Sequence, residues 1–346
     1  MVKLATSPFG HRPQALRVFG VALGVAGLAA AWVLLSRVAP RRVALVALGI
    51  LALHPLLVYD AVRGLREPLC LLLMIPVCAL IVGPPPVRTG DDRRPQGVGY
   101  RHQLDGLRRL APLSLVALPL VRWELGALAV VLALAGVLRR SLPWRRLGLA
   151  VGVAAVLAVP WLAANQARYG DALYHSDRNA IYLRNLDIVY RGAPGPVPDG
   201  PFAGPRITWA GYYLDFVGPV ETARREVAGT AENVASLLGA SPNPPWPGWP
   251  DSTAGRMADV GRVLALLAGT LLAGLAVIRA RGPLRWTVRV AAVVVLLDAA
   301  AYGAISRWVE YRLLSWALPM LALVLAAGVF ELAGYRARTG ARNCPV

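Results

Sequence analysis

Apolar residues gather into nine runs along the chain: Leu16 to Leu35, Val43 to Tyr59, Pro68 to Val82, Leu110 to Val121, Leu125 to Leu138, Leu147 to Ala164, Val263 to Ile278, Val290 to Ile305 and Leu313 to Leu332. A helix of roughly 20 apolar residues crosses the ~30 Å hydrocarbon core of a bilayer. The pattern therefore predicts an all-α, polytopic membrane bundle. Its parts are an N-terminal bundle over 1–164, an extracytoplasmic loop region over 165–257, and C-terminal membrane helices with a basic tail over 258–346. Leu110 to Val121 and Leu125 to Leu138 are each too short to span alone. They form either one long helix with Arg122 and Glu124 buried at its middle, or a hairpin of two short helices whose tip carries Arg122, Trp123 and Glu124.

Charge separates these two arrangements. With a hairpin, 20 of the 37 basic residues fall on one side, in clusters around Arg37 to Arg42, Arg88 to Arg109, Arg139 to Arg146, Arg279 to Arg289 and Arg336 to Arg342. The short segments on the other side hold 8. Basic residues in short loops mark the cytoplasmic face, so the richer side and the C-terminus are cytoplasmic. A single long helix would divide the Arg88 to Arg109 and Arg139 to Arg146 clusters between the two faces, and the hairpin is favoured. Lys3, Arg12 and Arg17 then lie outside with no preceding segment to carry them across. An upstream helix explains this. So does a cleaved leader at Ala29-Ala30-Ala31, although the apolar run continues through Trp32 to Leu35.

The formal charge of +18 and the 56% apolar content fit this picture. In a soluble protein such a charge would point to nucleic acid. Here the arginines end apolar runs, and no nucleic-acid-binding motif is present. Cys70, Cys78 and Cys344 form neither a disulfide framework nor a zinc spacing. The stretch Gly83 to Arg109 opens with three prolines and reads as a loop, and nothing near Asp91-Asp92 completes a metal-ligand set.

The long hydrophilic region contains one helix signal, opened by Pro219 and closed by Gly239. Val220, Ala223, Val227, Ala231, Val234 and Leu238 give it an apolar stripe that lies on the membrane or against the bundle. Trp209, Tyr212, Tyr213, Trp246 and Trp249 suit interfacial anchoring or stacking on a sugar.

Candidate chemistry begins where the apolar stretch Leu51 to Met74 breaks into a charged patch. Asp60, Arg63 and Glu67 stand at i, i+3 and i+7, one face of a continuous helix. Pro68 interrupts that helix and makes Glu67 a boundary residue at the start of the next one, where the helix dipole favours a carboxylate. Such a patch can bind a cation, position a hydroxyl or cap a helix, and an ordinary polar loop reads the same way. Asp298 adds a carboxylate inside an apolar run, which costs about 2.5 to 3.5 kcal/mol at mid-membrane depth and so points into the bundle.

The order of several landmarks resembles the polyprenyl-phosphate-dependent, GT-C type membrane glycosyltransferases, in particular bacterial relatives of the protein O-mannosyltransferases and of the aminoarabinose transferase. They are His54-Pro55 through Glu67-Pro68-Leu69, then Arg122-Trp123-Glu124, then Pro160-Trp161 with Asn165 and Tyr169-Gly170-Asp171, and last Glu310-Tyr311-Arg312 with Pro319. Leu313 stands where that family usually has tyrosine. The resemblance implies transfer of a sugar from a polyprenyl-phosphate donor to a glycan, lipid or protein acceptor on the extracytoplasmic face of the cell membrane. It makes Glu67, with Asp60 second, the acidic group that positions the acceptor or assists a divalent cation. Arg63, Arg66, Arg122 and Arg312 are assigned to the lipid phosphate, with Glu124, Asn165, Glu310 and Tyr311 completing the substrate site. The family's principal aspartate lies in a first outer loop, and Met1 to Gln14 holds no acid. A missing upstream helix and loop is therefore expected, and an inactive assembly partner is the main alternative. A lipid-linked sugar transporter would show an internal repeat, which the sequence lacks.

The hairpin reading is open to test. Single cysteines placed at Arg94 and at Arg140 are expected to react with an impermeant maleimide from the same side of sealed vesicles. Labelling from opposite sides would restore the single long helix.

Overall fold

The computed structural model describes residues 13–54, 57–58, 61, 67–82, 98–170, 172, 214, 217–238, 253–301, 303, 314 and 316–333. Among these the protein is all-helical, with ten α-helices and no strand. The helices are α1 Pro13–Val38, α2 Arg41–Leu53, α3 Glu67–Val82, α4 Val98–Val121, α5 Trp123–Leu138, α6 Trp144–Tyr169, α7 Pro219–Leu237, α8 Thr253–Arg279, α9 Gly282–Ala301 and α10 Leu318–Leu332.

Two short helices form the centre. Helix α3 is apolar around its whole circumference, and only Leu69, Leu72 and Leu73 escape full burial. Helix α10 is buried continuously from Leu318 to Val324. Helices with no polar face need neighbours on every side. Accordingly α3 is surrounded by α1, α4, α5 and α9, and α10 by α1, α2, α8 and α9. Small residues let these helices approach closely. At Gly328 of α10 an added Cβ would meet the Leu272 carbonyl of α8, and at Gly136 of α5 it would meet the Leu80 side chain of α3 at 2.9 Å.

The paired short segments fold back on each other. Arg122 sits between α4 and α5 in an extended conformation, φ −158° and ψ 104°. Beyond it α5 returns along α4, packed so closely that an added Cβ on Gly126 would meet Pro119 at 2.6 Å. The far ends meet again. Arg108 lies close enough to Arg139 for the two cations to repel, while Arg108 donates to the Ala79 carbonyl of α3 at 3.2 Å. At that same end the Arg139 guanidinium lies 5.0 Å from the Trp286 ring centroid, and Thr287 donates to the Val82 carbonyl. The arginine clusters of 108–109, 139–140 and 285–289 thus share one end of the bundle.

Element boundaries differ from the hydropathy reading in places. Helix α2 stops at Leu53, since Pro55 holds His54 extended with ψ 121°. The stretch read as a loop up to Arg109 is helical from Val98, because Leu104, Leu107 and Ala111 recur at helical spacing and pack inward. Helix α8 likewise starts at Thr253, ahead of its apolar run. Of the two placements open to the apolar stripe of α7, its first part faces outward, while Val234 and Leu238 at its end are half-buried and Leu238 packs on the core. Val220, Ala223, Val227 and Ala231 are exposed, and the helix buries Gly229, Asn233, Ser236 and Leu237 instead.

Among the described residues two helices are long and apolar enough to cross a membrane, Arg17–Val38 within α1 and Trp144–Tyr169, and four shorter apolar helices accompany them. Helix α6 exposes Leu149, Val153, Val156, Leu157 and Val159, an apolar surface that water does not favour.

Two substitutions of opposite sign test the packing. Arg140 adopts the left-handed φ of 59° at the C-terminus of α5, where Ser141 N–H bonds to Gly136 O and Arg140 N–H to Val137 O. Glycine is the usual residue at such a position, so Arg140→Gly is expected to stabilise the protein by about 1 kcal/mol. Gly328→Leu is expected to destabilise it by about 1–3 kcal/mol through overpacking against α8. Thermal melts of the purified protein read both.

Candidate functional site

The bundle end opposite the Arg108–Arg139 cluster holds most of its buried polar groups. Glu67 opens α3, as Pro68 at the second helical position dictates, and its carboxylate is 2% exposed. Arg122 stands at the hairpin break and is 6% exposed. Its Nη1 donates to Glu67 Oε1 at 3.3 Å, joining positions 55 residues apart in the chain. The Arg122 Nε–H is buried and makes no hydrogen bond. One edge of the guanidinium is thus committed to Glu67, while part of the fork stays open within the protein.

Asp298 belongs to the same centre. It lies on α9, is fully buried, and neither carboxylate oxygen makes a hydrogen bond. Arg122 is near enough to act on it electrostatically, and so is the indole N–H of Trp316, just ahead of α10. That indole is also fully enclosed and stays outside hydrogen-bond geometry. Two acids and one cation are therefore held in a low-dielectric interior by the starts or ends of four segments. Burying them is costly, and mutual attraction offsets the cost only where the partners stay close.

Other polar contacts fix the surroundings. Asn233 of α7 donates to the Ala299 carbonyl, one residue beyond Asp298, at 2.8 Å. The His54 Nε2–H donates to Leu237 O at 3.2 Å, satisfying a carbonyl at the C-terminus of α7. Gly229 and Gly303 meet at a crossing that leaves no room for a side chain on either, and this seats α7 beside the C-terminal end of α9. Asn165 lies in the last turn of α6, where its amide donates to Ala172 O at 3.2 Å beyond the left-handed cap Gly170. That bond gives Asn165 a part in ending the helix, alongside the substrate role expected of it.

Of the residues singled out in the sequence, the structure brings Glu67 and Arg122 together. Asp60, Arg63, Arg66, Glu310, Tyr311 and Arg312 lie outside the described residues, as does the side chain of Glu124. Asp298 stood out in the sequence as a buried carboxylate but not as a neighbour of Arg122, since no spacing connects them. Trp316 carried no signal beyond its place near the start of an apolar run. Among the described residues no three His, Cys, Asp or Glu side chains gather as a metal site, and a guanidinium between the two acids does not suit a divalent cation.

The chain matches no family model, no curated protein and no solved structure.

The coupling within the pair is measurable. Glu67→Leu or Arg122→Leu alone leaves a buried charge without its partner and is expected to cost about 3–5 kcal/mol. The double substitution is expected to recover most of that loss. Melts in which the two losses simply add would mean that the residues do not interact.

Proposed function

We propose that this chain is an integral membrane transferase that moves a sugar from a polyprenyl-phosphate donor to an acceptor hydroxyl, with Glu67 and Arg122 at its centre. The observation that carries the reading is the buried Glu67–Arg122 pair, made at the break where the GT-C resemblance expects charged residues to converge. The bundle architecture and the exposed apolar surface of α6 support the membrane setting. Multi-pass topology, an extracytoplasmic active face and a cytoplasmic C-terminus belong to the same proposal.

The chemistry follows from what each group can exchange. The planar donor fork of Arg122 binds a phosphate as well as a carboxylate. An arriving lipid phosphate competes with Glu67 for that fork and leaves the Glu67 carboxylate free. The freed carboxylate takes the proton of the acceptor hydroxyl as its oxygen bonds to the anomeric carbon. The carbon–oxygen bond to the phosphate breaks, and the electron pair departs on the lipid phosphate, which Arg122 steadies.

A non-catalytic assembly partner is the second reading. It is favoured by the fact that Glu67 and Arg122 are already bonded to each other, as in a purely structural ion pair. Sugar transfer by membranes carrying the chain separates the two. Glu67→Gln preserves shape and hydrogen bonding but removes the base, so it is expected to lower kcat/KM about 100-fold or more. Arg122→Lys keeps the charge but loses the fork, and is expected mainly to raise KM for the lipid donor. Transfer that persists undiminished in both variants, or that is absent from the parent chain, removes the catalytic reading.

A further inference from the structure

Helix α7 is built the reverse of a helix that faces water. At about 100° per residue, Val220, Ala223, Val227 and Ala231 fall on one side, with Gly229, Asn233 and Ser236 roughly opposite. The protein buries the small and polar side. Asn233 bonds to the Ala299 carbonyl, Gly229 crosses Gly303, and Ser236 is turned inward and donates to the Glu232 carbonyl of its own helix. The apolar side is left outward, with Val220 83% and Val227 74% exposed.

We infer that α7 is an interfacial lipid-binding helix, seated on the bundle by its polar face and immersed by its Val220–Val227–Ala231 stripe in the headgroup and acyl boundary of one leaflet. Three observations choose lipid over a protein cover. Helix α9, on which α7 rests, exposes Val293, Leu296 and Leu297, so the outward stripe of α7 continues an apolar surface that already runs along the bundle. Arg224, 81% exposed, borders the stripe with a stem long enough to carry its guanidinium to a headgroup phosphate, and the exposed Glu232 lies further round on the same side, toward the polar face. Trp246 and Trp249, which follow in sequence, are the residue type that collects at membrane interfaces. A helix with one apolar face and charged edges binds such a boundary through buried area plus attraction to anionic lipid. The inference rests on the bundle being in a membrane and does not depend on the transfer chemistry.

The test uses the full chain in vesicles of phosphatidylcholine and phosphatidylglycerol that contain a phospholipid with a photoactivatable acyl chain. After irradiation, mass spectrometry of the native chain is expected to place adducts on the segment 220–231. In a variant with Cys70, Cys78 and Cys344 changed to Ala, nitroxides at Val227→Cys and Glu232→Cys give a second reading. The ratio of oxygen to nickel-chelate collisions is expected to be severalfold higher at 227 than at 232. No adduct on 220–231, nickel access at 227 equal to that at 232, or shielding of 227 from both colliders, as a second copy or another protein would give, overturns the inference. Release of the native chain by alkaline carbonate would instead remove its premise, the membrane setting, and a loss of sugar transfer would leave the inference standing.

Discussion

A cation that interrupts a helix inside an apolar bundle must find an anion or move to water. At Arg122 the backbone leaves the helical path, so α4 and α5 can fold against each other, but the turn puts a guanidinium among apolar side chains. Glu67 answers it from another segment. The carboxylate is available there because Pro68 fixes the first turn of α3 and leaves Glu67 at its start. The pair therefore links the most enclosed helix of the bundle to the tip of the hairpin that wraps it. The register of three helices depends on that link, whether or not the site performs chemistry.

The same geometry sorts charge along the bundle. With the hairpin closed at Arg122, Arg108 and Arg139 are returned to the far end, where they reach the last turn of α3 and the first turn of α9. Among the described residues, Glu67 and Asp298 meet at the near end, where both approach Arg122. An excess of guanidinium at one described end and a buried cluster at the other fits the oriented membrane bundle proposed above. The apolar, exposed length of α6 suits association with a membrane in the same way.

Much of this was legible in the sequence, for identifiable reasons. Helix α3 was visible as an unbroken apolar run with Pro68 at its start, and the hairpin followed from the arginine clusters on either side of Arg122. Pairing Glu67 with Arg122 came within reach once both were seen at breaks between apolar runs. The start of α4 was hidden because the polar residues of 98–109 mask Leu104 and Leu107, whose inward packing is what makes that turn helical. The orientation of α7 was hidden because hydropathy gives the direction of a stripe but not the solvent it faces. Asp298 and Trp316 were each visible alone, but their convergence on Arg122 arises from packing between helices far apart in sequence, which local periodicity does not encode.

Burial also decides what the centre can do. In water the Glu67–Arg122 contact would be worth little, since solvent would bond either group as well as the other does. Enclosed, each group depends on the few partners that share the site, and a ligand able to replace one of them meets no competition from bulk water. For the donor phosphate proposed above, Arg122 offers the planar fork whose edge Glu67 now occupies. Such an exchange is open to this pair because both groups are enclosed together at a helix break, away from bulk solvent.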